Sequence, residues 1–203
     1  MNFKKITLIV LLIVLVILIL NLVFNLNIFK KEGNDMNPIV IIKTSKGDIE
    51  VELLKDKAPK TVSNFLQYTE GGFYNNTVFH RVIKGFMVQG GGFLASGDQK
   101  EIFPPIALET TKDTNLSNLK GTLAMARTND PNSATSQFFI NTVDNFFLNY
   151  SNESNPGYAV FGKVLSGMDV VKVIEDVKTT TKFKYHQDWP VEDVIILDVV
   201  IKK

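Results

Sequence analysis

The chain has 203 residues, room for one ordinary domain and an appendage. Its 22 basic and 21 acidic residues leave a formal charge of +1, so no general field draws nucleic acid or an anionic surface, and no nucleic-acid partner is expected. The absence of cysteine excludes disulfides, thiolate metal sites and a lipidated cysteine anchor, and is compatible with either side of a membrane.

Residues 6–20 are apolar apart from Thr7, and Asn21, Asn25 and Asn27 are the only polar interruptions before Phe29. Roughly 20 apolar residues span a bilayer core. A transmembrane helix over about residues 6–29 is therefore expected, inside an N-terminal anchor of residues 1–31. A cleaved signal peptide is the rival reading, but no small-residue cleavage pattern of the A-x-A kind follows the apolar run. A buried core helix fares worse, because fifteen residues without a polar face leave nothing to meet water. Lys4 and Lys5 lie before the run, whereas Lys30 and Lys31 behind it are offset by Glu32 and Asp35. That imbalance favours a single-pass protein with its domain on the extracytoplasmic side. Residues 32–38, EGNDMNP, read as a linker, and residues 39–203 as the globular domain.

In the domain, residues 39–43 are rich in β-branched side chains, and residues 48–54 alternate Ile49, Val51 and Leu53 with Asp48, Glu50 and Glu52. With Ser45, Lys46 and Gly47 between them they predict an antiparallel hairpin with one wet face. Residues 58–69 keep helical spacing at Val62, Phe65 and Leu66, with Pro59 suited to a first turn and Gly71-Gly72 to a stop. Residues 79–93, FHRVIKGFMVQGGGF, concentrate one arginine, one glutamine, a Phe-Met pair and three glycines. A site that holds an apolar group and addresses it with one or two polar side chains needs such a mixture. The triple glycine reads either as a close approach to ligand or as no more than a sharp turn.

A polar loop over residues 95–110 follows, then strands over residues 121–126 and 137–141 separated by an Asn129-Asp130-Pro131-Asn132 turn. After a long loop, residues 149–157, another strand is expected over residues 158–164. Ser166 and Asp169 suggest a capping box for a helix whose face carries Val170, Val171, Ile174 and Val177, and residues 194–201 form a last strand. Many short strands, two helices and no regular β-helix-β alternation predict a mainly β fold, an antiparallel sheet or barrel.

Much chemistry is excluded. The two histidines, His80 and His186, lack the spacing of a helical zinc pair, no G-x-S-x-G elbow or P-loop occurs, and neither metal nor cofactor is expected. Gly90-x-Gly92-x-x-Ala95 formally satisfies a dinucleotide fingerprint, but SGDQKEIFPP after it cannot be the required helix.

Four stretches, FHRVIKGFMVQGGGF (79–93), GTLAMAR (121–127), SATSQFFI (133–140) and YAVFGKVLSGMDVV (158–171), in this order resemble the cyclophilin-type peptidyl-prolyl cis-trans isomerases, the compact bacterial type most of all. The resemblance covers residues 39–201. It implies a closed eight-stranded antiparallel barrel capped by two α-helices, with substrate on the outer face because so small a barrel is filled by its own side chains. It implies Arg81 as the catalytic arginine, with Gln89 reaching the substrate backbone. Phe86, Met87 and Phe139 match the proline pocket, with Leu148 at its edge, and Gln137 a further polar contact. Ala126 and Arg127 match positions whose backbone meets the peptide, and Phe79 and Phe138 are left to the core. The implied partners are proline-containing polypeptides, and the implied role is a folding assistant tethered to the membrane through the N-terminal helix. A non-catalytic proline-peptide-binding or chaperone module is the alternative. Phe147 stands where many relatives have tryptophan, which implies weak cyclosporin binding, and Tyr158 replaces a common histidine at the groove's rim. Lys84, often proline in relatives, is expected to affect only its turn.

Overall fold

The computed structural model describes residues 15–21 and 37–202. The chain divides into two compact units, residues 1–36 and 37–203. In the first, residues 15–21 are helical, and the rest of the span expected over residues 6–29 lies outside the described residues. Among the described residues no helix is long and apolar enough to cross a membrane.

The second unit opens with the expected hairpin, β1 (Ile39–Thr44) and β2 (Gly47–Leu53). Alternation sorts its faces: Val40, Ile42, Ile49, Val51 and Leu53 are buried, while Glu50 and Glu52 point outward and pair with Lys202 at 2.7 Å and Lys163 at 2.9 Å. Helix α1 (Pro59–Glu70) starts on Pro59, whose missing N–H costs nothing in a first turn. The unpaired N–H groups of Lys60 and Thr61 donate to the Glu109 carboxylate, 49 and 48 residues on, at 3.1 and 2.8 Å. Val62, Phe65 and Tyr68 turn into the core, and Gly71 ends the helix.

Next come β3 (Thr77–Ile83), β4 (Met87–Leu94), the one-turn helix α2 (Thr111–Thr114), β5 (Thr122–Met125) and β6 (Phe138–Asn141). A 3₁₀ turn (Phe146–Leu148), β7 (Val160–Ser166), α3 (Met168–Glu175), β8 (Thr179–Lys182), β9 (His186–Pro190) and β10 (Ile195–Ile201) complete the chain. Eight strands close an antiparallel barrel in the order β1-β10-β3-β4-β6-β5-β7-β2, and β8-β9 form a separate two-stranded sheet. Residues from α1 (Phe65), from the strands (Phe79, Phe138, Phe161) and from α3 (Val171, Ile174) share one buried cluster, so the barrel interior is side chain throughout.

The expected closed eight-stranded antiparallel barrel with its helices is present, with four local corrections. The strand predicted over residues 158–164 runs from Val160 to Ser166. Ser166 therefore ends a strand and heads no capping box; α3 begins after Gly167, with no side-chain cap. Gly167 takes φ +92°, and a Cβ there would stand 2.5 Å from the Asp48 carbonyl oxygen, so backbone freedom rather than a hydroxyl makes this corner. Helix α2 and the β8-β9 hairpin were not expected. Gly90, Gly91 and Gly92 lie inside β4 and form no turn.

Candidate active site

One row of side chains crosses five strands on the outer face of the barrel. Register places Arg81 of β3 opposite Gln89 of β4, Gln89 opposite Phe139 of β6, Phe139 opposite Ala124 of β5, and Ala124 opposite Val160 of β7. Their immediate neighbours Val82, Val88, Phe138, Ile140, Leu123 and Phe161 point the other way, into the core. A period of two thus divides each strand between core and site.

Met87, Ala124, Phe139, Leu148 and Val160 form a second buried cluster outside the barrel interior, with Phe86, Ala126 and Tyr158 packed on it. Above it opens a cavity of about 220 Å³ lined by Arg81, Phe86, Met87, Gln89, Ala126, Arg127, Phe139, Leu148 and Tyr158. The floor is tighter than the sequence suggested. Residues that match a proline pocket would keep part of their surface in the groove, yet Met87 and Phe139 are 1% and 4% exposed, because each is also packed from the side by its cluster neighbours. Arg81, by contrast, is exposed and makes no ion pair among the described residues. A guanidinium at the lip of an apolar hollow is thus left to face whatever enters.

Gln89 donates through Nε2 to Oε1 of Gln137 at 3.0 Å, which fixes both amides. Gly92 makes room for this pair, since a Cβ there would lie 2.5 Å from Cγ of Gln137. Gly91, at φ +80°, would bring a Cβ within 2.9 Å of the Phe138 and Tyr74 rings. The triple glycine therefore serves close packing behind the site. Arg127 has its guanidinium committed: Nε donates to the Gly157 carbonyl at 2.9 Å, Nη1 to its neighbour Thr128 at 2.8 Å, and the group lies 4.6 Å from the Tyr158 ring. It braces the rim. Tyr158 in turn sets its ring edge-on to Phe139, centroids 5.7 Å apart.

Two expected residues stand apart from this cavity. Gln137 lines an adjoining cavity of about 220 Å³, together with Gln99, Ile102, Thr128, Ser133 and Thr135, which shares Gln89, Ala126 and Arg127 with the first. Phe147 is 66% exposed and stacks on Phe86 at 5.6 Å. Lys84 does more than shape its turn, pairing with Asp176 at 2.8 Å beside a buried Glu175 carboxylate that accepts the Gly85 N–H at 2.8 Å. Burial raises the Glu175 pKa, but Thr142, the Gly85 N–H and Lys172 outweigh it and hold it below the ordinary value.

The sequence reading also missed a frame of three buried asparagines. Asn145 donates to the carbonyl of Phe86 and to Oδ1 of Asn141; Asn141 donates to Oδ1 of Asn118; Asn118 donates to the carbonyl of Leu148. Both apolar walls of the cavity hang on this frame. Asparagines in a sequence read as turn or surface, and only tertiary structure distinguishes these.

A closed antiparallel barrel thus carries on its outer face a hollow with an apolar floor, an arginine at its lip and paired glutamines beside it. Comparison with known proteins gives the family. The model of the cyclophilin-type peptidyl-prolyl cis-trans isomerases matches residues 39–201, and the chain belongs to that family. It is 54% identical over 167 residues to peptidyl-prolyl cis-trans isomerase B of Escherichia coli strain K12, covering 81% of this chain and 100% of the relative. It is 52% identical over 166 residues to a peptidyl-prolyl cis-trans isomerase of Acinetobacter baylyi, covering 82% and 86%. A crystal structure of a cyclophilin-type isomerase from Cryptosporidium parvum superposes with a TM-score of 0.68 at 30% identity, covering 82% of this chain and 98% of that one. The protein is a cyclophilin-type peptidyl-prolyl cis-trans isomerase.

Proposed function

We propose that residues 39–203 isomerise X-Pro bonds in peptides and folding proteins by non-covalent stabilisation of the twisted imide, with Arg81 as the catalytic group. The observation that carries this reading is the exposed Arg81 side chain, without an ion pair among the described residues, at the lip of the Met87, Phe139 and Leu148 hollow. An apolar floor takes the pyrrolidine ring, and the paired amides of Gln89 and Gln137 offer hydrogen bonds to the adjoining backbone. The same Cryptosporidium parvum cyclophilin was crystallised in the presence of the dipeptide Ala-Pro, which supports a proline-containing occupant.

The planar imide resists rotation by about 18–20 kcal/mol because the nitrogen lone pair is delocalised into the carbonyl. At the twisted midpoint that lone pair returns to nitrogen and becomes an acceptor. A guanidinium beside it then donates a hydrogen bond available in neither planar state, which is differential transition-state binding. Raising a rate of about 0.01–0.1 per second to about 10–1,000 per second requires roughly 3–7 kcal/mol. One charge-assisted hydrogen bond in a partly dry groove, with the flanking chain immobilised, is of that size. Turnover of a short Ala-Pro peptide with and without the Arg81 guanidinium tests the assignment.

The apolar run over residues 6–29 supports a second part of the proposal, an uncleaved single-pass anchor that places the isomerase domain on the extracytoplasmic side. Carbonate extraction of the full chain tests the anchor: retention in the membrane pellet is expected, and release into the supernatant contradicts it. Labelling of a surface cysteine introduced into the domain with an impermeant maleimide in intact cells tests the side.

A further inference from the structure

Arg81 lines two cavities. The first is the proline hollow; the second, of about 280 Å³, lies on the arginine's other flank and is closed by His80 and by Tyr185, His186, Gln187 and Asp188 of the β8-β9 hairpin. It shares only Arg81 with the hollow, whereas the cavity containing Gln137 shares Gln89, Ala126 and Arg127 with it. The hollow thus adjoins the glutamine cavity along three residues and the hairpin cavity at Arg81, the two places that chain flanking a bound proline can enter.

Three observations bear on what this second cavity takes. Asp188 sits in the left-handed region at φ +58°, a conformation that its short polar side chain tolerates, and it lines the cavity. Its carboxylate enters no hydrogen bond or ion pair among the described residues, although the neighbouring Asp193 holds both Trp189 at 2.7 Å and Lys182 at 2.9 Å. The hairpin carrying it is held firmly: Trp189 is wholly buried, and Phe93 packs against both His186 at 4.9 Å and His80 at 4.7 Å. A carboxylate without a partner among the described residues, on a docked hairpin, thus lines a cavity beside the arginine proposed to act on the imide.

We propose that this cavity is a subsite for a cationic side chain, lysine or arginine, on the substrate segment flanking the proline. It rests on the Arg81 reading above. The arginine itself decides the sign of the preferred charge. An acidic side chain entering here pairs with Arg81 and withdraws the guanidinium from the imide, whereas a basic one pairs with Asp188 and leaves Arg81 free. The exposed Tyr185 ring adds a face on which a cation can rest.

The test uses the full chain and hexapeptides with a single Ala-Pro bond, carrying alanine, lysine or glutamate in turn at the second residue before the proline and at the first and second after it. Rates are read by NMR exchange spectroscopy. At one position the lysine peptide is expected to exceed the alanine peptide in kcat/KM by about two- to fivefold, the scale of an exposed ion pair, with glutamate below alanine. In Asp188→Asn, whose new side chain also tolerates the left-handed backbone, the lysine-to-alanine ratio falls to about one while the glutamate penalty persists. No position with a lysine advantage, or an advantage that survives Asp188→Asn, overturns the subsite and leaves the isomerase reading standing. No turnover of the all-alanine peptide overturns both.

Discussion

The side-chain amide of Asn145 donates to the backbone carbonyl of Phe86 at 2.9 Å, joining the 3₁₀ turn that carries Leu148 to the strand entry that carries Met87. The same amide donates to Asn141 at 2.8 Å, and Asn145 is only 2% exposed. Asn145→Ala leaves Oδ1 of Asn141 buried without this donor, although the Thr142 N–H still serves Phe86 at 3.0 Å. A loss of about 1–3 kcal/mol in urea unfolding is expected. At a temperature where the variant remains folded, KM for an Ala-Pro peptide rises as the hollow loosens; an unchanged KM contradicts the frame's role in holding the walls.

Gly92→Ala separates site from scaffold. The added methyl meets the flexible Gln137 side chain, not backbone, so Gln137 is displaced and its bond with Gln89 is broken. The expected result is a several-fold fall in kcat/KM with a change in unfolding midpoint small beside that of Asn145→Ala.

His80 governs part of the acid response. Burial, and after it the charge of His186, push its pKa from 6.5 down to about 4. The unfolded chain therefore takes up a proton near pH 6.5 that the folded chain refuses until about pH 4, and stability falls as the pH drops through that window. Relative to His80→Gln, the wild type is expected to lose about 2 kcal/mol between pH 7 and 4.5, measured by urea unfolding at the two pH values. A constant difference contradicts a buried neutral imidazole.

Phe147 sits exposed on the rim, stacked on Phe86. Phe147→Trp keeps the stack and adds an indole N–H donor, worth about 1 kcal/mol where it finds an acceptor. Cyclosporin inhibition of turnover is expected to be weak in the wild type and roughly five- to tenfold tighter in the variant.

How much of this was legible in the sequence follows from where each signal lives. Alternation in β2 and the spacing of Val62 and Phe65 are local patterns, and the elements they predict are present. The mixture in residues 79–93 marked one part of the site, but Met87 and Phe139 have the composition of core and only the barrel register turns them outward, so their roles were legible only through the family resemblance. The β8-β9 hairpin was hidden for a local reason. Its turn puts Phe183 at φ +51° and Lys184 at φ +69°, where glycine or asparagine is the usual signal, and the aromatic packing around Trp189 holds the strain. The asparagine frame had no local signature at all, since its members, 118, 141 and 145, meet only when the barrel closes.

The central claim is that Arg81 stabilises the twisted imide without contributing to the fold. The most direct measurement is chymotrypsin-coupled turnover of a short Ala-Pro-Phe peptide by residues 36–203 and by its Arg81→Ala variant, with unfolding curves for both. Arg81 is exposed and makes no ion pair among the described residues, so stability is expected to change by less than about 0.5 kcal/mol while kcat/KM falls by roughly a hundredfold or more. Turnover retained at the wild-type level by a folded variant contradicts the account.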